Sequence, residues 1–228
     1  MSEKREEMEN DVFGLDDIEI ENTSVDEIDA EDVNLIFVGI DCSGSMRPYE
    51  MDGSMKDSTI NFKTSLQDSK EANQILVARA DFNERISVGG YKRIDEFDTS
   101  YSASGMTSLY DVICEGVKKL HDYRDYLKSQ GMRVKAVFAI FSDGDDTSSH
   151  NLFHDAKKAI DYLNSEEITT AFISFGGNST EATNLGFENI LSVSSSASEL
   201  RKAFNCLSKS VIESSKSVLP DGNDFFDI

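Results

Sequence analysis

Positive charge is scarce in this chain: 22 lysines and arginines stand against 43 aspartates and glutamates, a formal net charge of −21 over 228 residues. Contacts to phosphate need Lys and Arg, so this balance repels nucleic acid and anionic membrane surfaces and excludes both as expected partners. It favours a bound cation and a basic partner surface instead. Long apolar runs are also missing. Hydrophobic residues make up 39% of the sequence, and no stretch approaches the roughly 18 residues that a membrane span requires. The opening residues, Met1-Ser2-Glu3-Lys4-Arg5-Glu6-Glu7, hold no apolar core of a secretion signal. The expected location is therefore cytoplasmic. Cysteine is rare too, and the odd count of three argues against a disulfide framework. Cys114 and Cys206 fall on the apolar faces of predicted helices, as small core residues do. Cys42 is expected to pack as well. Asn22-Thr23-Ser24 and Asn178-Ser179-Thr180 fit the glycosylation pattern, which means little in a cytosolic chain.

The acidity is unevenly placed. Residues 1–32 carry 14 acidic and 2 basic side chains, a net of −12. Such a segment cannot bury enough apolar surface to fold alone, and reads as a disordered or partner-ordered arm. Ile18 and Ile20 are its best material for a short edge strand. Residues 33–214 form the expected domain, and residues 215–228 a flexible tail in which Phe225, Phe226 and Ile228 sit among acids. Apolar side chains in such a tail suit a short docking motif, with the charges steering the encounter.

Within the domain, apolar strands alternate with amphipathic helices. Val33–Ile40, Ile75–Phe82, Val134–Phe141 and Thr169–Phe175 are short and nearly unbroken apolar runs, the mark of strands buried on both faces. Between them, Leu109, Val112, Ile113, Gly116, Val117, Leu120, Tyr123 and Leu127 repeat at three and four residues, the clearest helix in the chain. Arg85 to Ile94 reads as one antiparallel edge strand after a turn at Asn83-Glu84. A helix with Leu152, Ala156, Ala159, Ile160 and Leu163 inward is expected to be capped by Ser148 or Ser149. The fold class is α/β: a doubly wound, mostly parallel sheet with one antiparallel edge strand and helices on both faces.

Three loops at strand ends carry the chemistry. Asp41 leaves the first strand at its carboxyl end, the edge where open α/β sheets bind ligands. Ser43 and Ser45 follow at alternate positions around Gly44, which permits a tight turn. Thr107 precedes the amphipathic helix, and Asp143 follows the strand ending at Phe141. Together they form a hard-oxygen set suited to Mg²⁺ or Mn²⁺. Asp145 and Asp146 read as solvated loop acids, with an outer-shell role as the alternative. Arg47 to Ser54, broken by Pro48 and Gly53, forms an extra loop placed to hang over this edge.

Enzyme patterns are weaker. The haloacid-dehalogenase phosphotransferases need a second Asp two residues after the first, where Ser43 stands. No Gly-x-Ser-x-Gly elbow and no phosphate-binding glycine loop is present. His150 and His154 are four apart but lack the Glu of a helical zinc site. Asp143 to His154 opens like a calcium loop, yet Ser148 fills the place of the required Gly and His154 that of the Glu.

The positions Asp41, Ser43, Ser45, Thr107 and Asp143 resemble, in order, the metal-ion-dependent adhesion site (MIDAS) of von Willebrand factor A (vWA) domains, whose pattern is Asp-x-Ser-x-Ser, then Thr, then Asp. The resemblance covers about Val33 to Ser214 and implies a Rossmann-like vWA fold. It also implies a non-enzymatic, metal-dependent protein-binding module, with a partner's Glu or Asp completing the coordination of Mg²⁺ or Mn²⁺. For a compact cytosolic member it further implies a partner such as a MoxR-type ATPase or a stress or defence component. The alternative is a Mg²⁺-dependent phosphoryl-transfer or phosphatase-type enzyme using the same site.

Overall fold

The computed structural model describes residues 22–28, 31–176, 179–216 and 225–226. Its central strand, β1 (Asp32–Asp41), lies between β2 (Ile75–Phe82) and β5 (Arg133–Ser142). Beyond β5 come β6 (Thr169–Phe175) and β7 (Asn189–Val193), all parallel to β1. Two short strands, β3 (Ile86–Val88) and β4 (Lys92–Arg93), run antiparallel along the outer side of β2. The helices are α1 (Arg47–Met51), α2 (Ser54–Gln67), α3 (Leu109–Ser129), α4 (Phe153–Ser165), α5 (Thr180–Leu185) and α6 (Ala197–Lys216). This is the doubly wound α/β class expected from the sequence.

Successive side chains of a strand point to opposite faces, and β1 shows how that divides the interior. Val33, Leu35 and Phe37 join the core under α3 and α4, whereas Ile36, Val38 and Ile40 join the core under α2 and α6. The neighbouring strand alternates in step: Ala136, Phe138 and Ile140 face the first core, Val137, Ala139 and Phe141 the second. An unbroken apolar run is thus what a strand covered on both faces requires. Helix α3 approaches the sheet through Gly116, where a Cβ would lie 2.4 Å from Phe37 Cζ. Beneath it Phe37 and Phe138 stack with ring centroids 4.7 Å apart.

Several local expectations need correction. The edge strand expected over Arg85 to Ile94 is split at Gly89-Gly90. Val88 pairs with Ala80 but Lys92 with Val77, so the edge carries one more residue than β2 across that interval, a bulge. The bulge turns Tyr91 fully inward, where its ring stacks on Tyr123 at 5.1 Å. The cap expected from Ser148 or Ser149 is elsewhere: α4 starts at Phe153, the Leu152 N–H donates to Asp155 Oδ2 at 3.1 Å, and Leu152 is 60% exposed.

The domain edges also differ from those read in the sequence. Asn22 and Thr23, assigned to the acidic arm, are buried; the Thr23 N–H donates to Tyr91 O at 2.8 Å and the Tyr91 N–H to Asn22 Oδ1 at 2.7 Å. The rest of that arm, residues 1–21 and 29–30, with its possible edge strand at Ile18 and Ile20, lies outside the described residues. In the tail, Phe225 is not exposed but 2% accessible, packed in the core under α2 and α6, with its N–H donating to Asn189 Oδ1 at 3.2 Å. Residues 217–224 and 227–228 lie outside the described residues. Among the described residues no helix is long and apolar enough to cross a membrane.

Candidate metal centre

Parallel register assembles the site. Ile40 pairs with Phe141 across β1 and β5, so Asp41 and Ser142 leave the sheet side by side. The Ser142 hydroxyl donates to Asp41 Oδ2 at 2.6 Å, and the Ser43 N–H donates to Asp41 Oδ1 at 2.8 Å. From there the contacts continue outward. Ser43 Oγ lies 2.9 Å from Ser45 Oγ, and the Ser45 hydroxyl donates to Asp143 Oδ1 at 2.8 Å. Four of the five residues read from the sequence therefore lie in one hydrogen-bonded run. It descends from exposed Ser45 to Asp41, which has no solvent exposure.

The fifth residue, Thr107, is buried and is joined to the run by its backbone neighbours. The Gly44 N–H donates to Gly105 O at 3.0 Å. Gly105 has φ +76°, a conformation that other side chains adopt only with strain, and so lets this loop close on Gly44. On its other side Thr107 is bound to the loop that carries Asp143: the Thr147 and Ser148 N–H groups donate to Thr107 O at 2.8 and 3.0 Å.

Burial dominates the electrostatics. Desolvation pushes the Asp41 carboxyl up to about 6, although hydrogen bonds from Ser142 and Ser43 favour its charged form and nearby Asp143 opposes it. Asp143 is also raised, again first by burial. Among the described residues no cationic side chain hydrogen-bonds or pairs with either acid in the way Arg79 pairs with Asp81 at 2.8 Å next door.

Two neighbours escaped the sequence reading. Ser142 is absent from the donors read in the sequence, which ends its strand one residue earlier at Phe141, although its register opposite Asp41 follows from pairing the two apolar runs. Tyr101, whose hydroxyl donates to Asp41 O at 2.7 Å, comes from a loop with no periodicity to place it. Cys42 behaves as expected: its buried thiol donates weakly to Asp81 Oδ1 at 3.6 Å, and burial raises it well above an ordinary thiol. The extra loop after Ser45 is structured, with α1 burying Tyr49 against Phe175. Asp146 is not a free loop acid; it accepts from the Tyr110 N–H at 3.3 Å and from the Ser149 hydroxyl. The rings of His150 and His154 are exposed and lie against carboxylates, His150 against buried Asp111 at 3.3 Å and His154 against Asp155 at 3.1 Å.

Mg²⁺ and Mn²⁺ prefer hard oxygen donors and keep several waters, and this donor set fits such an ion. Two hydroxyls and two carboxylates raised by burial converge, with no cation paired to them among the described residues. Among the described residues no three His, Cys, Asp or Glu side chains gather as a metal cluster, so the site is one of mixed hydroxyl and carboxylate oxygen.

Known structures share the architecture. A von Willebrand factor type A protein from Catenulispora acidiphila is 18% identical with a TM-score of 0.58, over 79% of this chain and 43% of that one. Proximal thread matrix protein 1 from mussel byssus, solved with zinc in its MIDAS motif, is 19% identical with a TM-score of 0.56, over 79% of this chain and 46% of that one. The vWF domain of the type V pili tip protein Mfa5 from Porphyromonas gingivalis is 10% identical with a TM-score of 0.62, over 82% of this chain and 97% of that one. This chain spans between 30% and 46% of the length of the longer chains it matches first. No family model and no curated protein matches the sequence. At these identities the likeness concerns the fold, and the fold is that of a von Willebrand factor A domain.

Proposed function

We propose that this domain is a metal-dependent protein-binding module of the cytoplasm, holding Mg²⁺ or Mn²⁺ through Asp41, Ser43, Ser45, Thr107 and Asp143. The observation that carries the reading is the run from Ser142 through Asp41, Ser43 and Ser45 to Asp143, which joins a fully buried acid to a half-buried one with no cation paired to either among the described residues. A bound ion supplies an electrophilic position at that surface for a carboxylate from outside. Ser142 and the Ser43 N–H orient the Asp41 carboxylate, and Ser45 orients Asp143. The zinc-occupied MIDAS motif of the mussel protein supports a divalent ion at a site of this type.

The surroundings suit protein contact. The large apolar side chains exposed among the described residues are Met51, Ile60, Met106 and Leu152. Met51 closes the short helix α1 after Ser45, Met106 precedes Thr107, and Leu152 ends the segment that starts at Asp143. They offer an apolar rim around a metal-bound Glu or Asp of the partner. None of the three cysteines is in a disulfide, which supports the cytoplasmic setting. A MoxR-type ATPase or a stress or defence component is the partner class the family resemblance favours.

Affinity capture on immobilised protein tests the reading. Partners held in Mg²⁺ should be released by EDTA and be missing from an Asp41→Asn bait. Capture unaffected by either change contradicts it. The chain is read as a binder rather than an enzyme, because Ser43 stands where a phosphotransferase of the haloacid-dehalogenase kind needs its second Asp. Hydrolysis of a generic phosphoester by the purified chain with Mg²⁺, disappearing in Asp41→Asn, would overturn that part and favour the phosphatase alternative.

A further inference from the structure

Helix α3 follows directly on Thr107, yet its N-cap residue Ser108 makes no capping bond with its own side chain. The first N–H groups of a helix need acceptors from outside it, and here a distant loop supplies them. The Thr107 N–H donates to Thr147 Oγ1 at 2.9 Å, the Tyr110 N–H to Asp146 Oδ1 at 3.3 Å, and the Asp111 N–H to Ser149 Oγ at 3.1 Å. The bonds also run the other way. Thr107 O accepts from the N–H groups of Thr147 and Ser148, while the Asp111 carboxylate accepts from the His150 and Asn151 N–H groups at 2.9 and 2.7 Å. Ser108 Oγ and Ser148 Oγ lie 2.9 Å apart. The segment from Asp146 to Asn151 therefore caps α3 from across the sheet edge. It is also the continuation of the loop that starts at Asp143.

We propose that Thr147 is a positioning residue for the ion: it fixes Thr107 to the Asp143 loop, so that these two donors are presented as one preassembled unit. The inference rests on the metal-binding reading and assigns to it a residue that touches no ion. Thr147 suits the role because it brackets Thr107 from both sides, its hydroxyl taking the Thr107 N–H and its own N–H reaching Thr107 O. Its side chain is exposed, so replacing it leaves the core untouched.

The test is calorimetric titration of Mn²⁺ into the full chain and its variants, with melting temperatures taken in EDTA. Thr147→Val keeps the shape and removes the acceptor. It should weaken Mn²⁺ binding about three- to tenfold, the effect of one hydrogen bond, with the ion-free melting temperature lowered by no more than about 5 °C. Thr147→Ser, which keeps the hydroxyl, should bind as the wild type does. In a Thr107→Ala background, Thr147→Val should have no further effect, because the donor it positions is gone; a purely structural contact would add its loss in either background. Wild-type affinity in Thr147→Val, or an equal loss in both backgrounds, overturns the inference while leaving the metal site standing. A wild-type chain that binds no Mn²⁺ overturns the metal reading and this inference together.

Discussion

Strand β1 begins and ends with the same residue type, and the two ends have opposite fates. Asp32 opens the strand in solvent, where Arg133 donates to both of its carboxylate oxygens, at 2.6 and 2.8 Å, and holds its carboxyl below the usual range. Asp41 closes the strand with no exposure, accepts only from neutral donors, and is pushed up to about 6 by burial. One end has its cation in the chain. The other is built to hold a negative charge and lacks the countercharge, which is the condition under which a divalent ion binds most usefully. A buried acid kept at a cost in stability is a recurrent sign of a functional site.

If the missing countercharge is an ion, adding it should produce the largest effect. Mg²⁺ or Mn²⁺ at a hundred times its dissociation constant stabilises a folded protein by about 2.7 kcal/mol. For a domain of this size that is a rise of about 5–10 °C in melting temperature. The rise should persist in Asp32→Asn, whose acid already has its partner, and vanish in Asp41→Asn. A rise lost in both variants would break the distinction between the two ends.

An effect no larger than this should be visible without any ion. The folded pKa of Asp41 lies above its unfolded value, so between about pH 4 and pH 6 the folded state holds the proton more tightly. Stability contributed by this group is then highest below about pH 4 and falls as pH rises through 6. A shift of about two units corresponds to roughly 2–3 kcal/mol at neutral pH. In EDTA at pH 7.5, Asp41→Asn should therefore melt above the wild type, with the gap closing by pH 4. An Asp41→Asn protein less stable than the wild type at pH 7.5 would show that the buried charge is already compensated.

The smallest effect is on the ion's own pH dependence. Protons compete for Asp41, so affinity for Mn²⁺ should be flat above about pH 7 and fall toward about tenfold per unit below pH 6. Titrations at several pH values would show it. An affinity unchanged down to pH 4.5 would mean that the bound ion does not depend on the ionised form of Asp41.

Much of this could be read from the chain because the signals are local. β1 and β5 read as buried strands from their unbroken apolar runs, α3 from its repeat, and the nearness of Asp41, Ser43, Ser45 and Asp143 from their places at strand ends. What escaped depends on contacts between residues far apart in sequence. Tyr91 turns inward through a one-residue bulge and is held by Asn22, 69 positions away. Phe225 reads as an exposed docking aromatic because nothing nearby in sequence reveals that Asn189 and the core beside α6 receive it. Asp146 reads as a loop acid because its acceptor role is spent on a helix 36 positions earlier. Periodicity reports which face of an element is apolar, but not which distant polar group completes its hydrogen bonds.

The central claim, that Asp41 at the closing end of β1 awaits a divalent cation, is tested most directly by calorimetric titration of Mg²⁺ and Mn²⁺ into three proteins: wild type, Asp41→Asn and Asp32→Asn. Saturable binding of one ion by the wild type and by Asp32→Asn, with none by Asp41→Asn, is the predicted result. No binding by the wild type, or equal binding by all three, would contradict it.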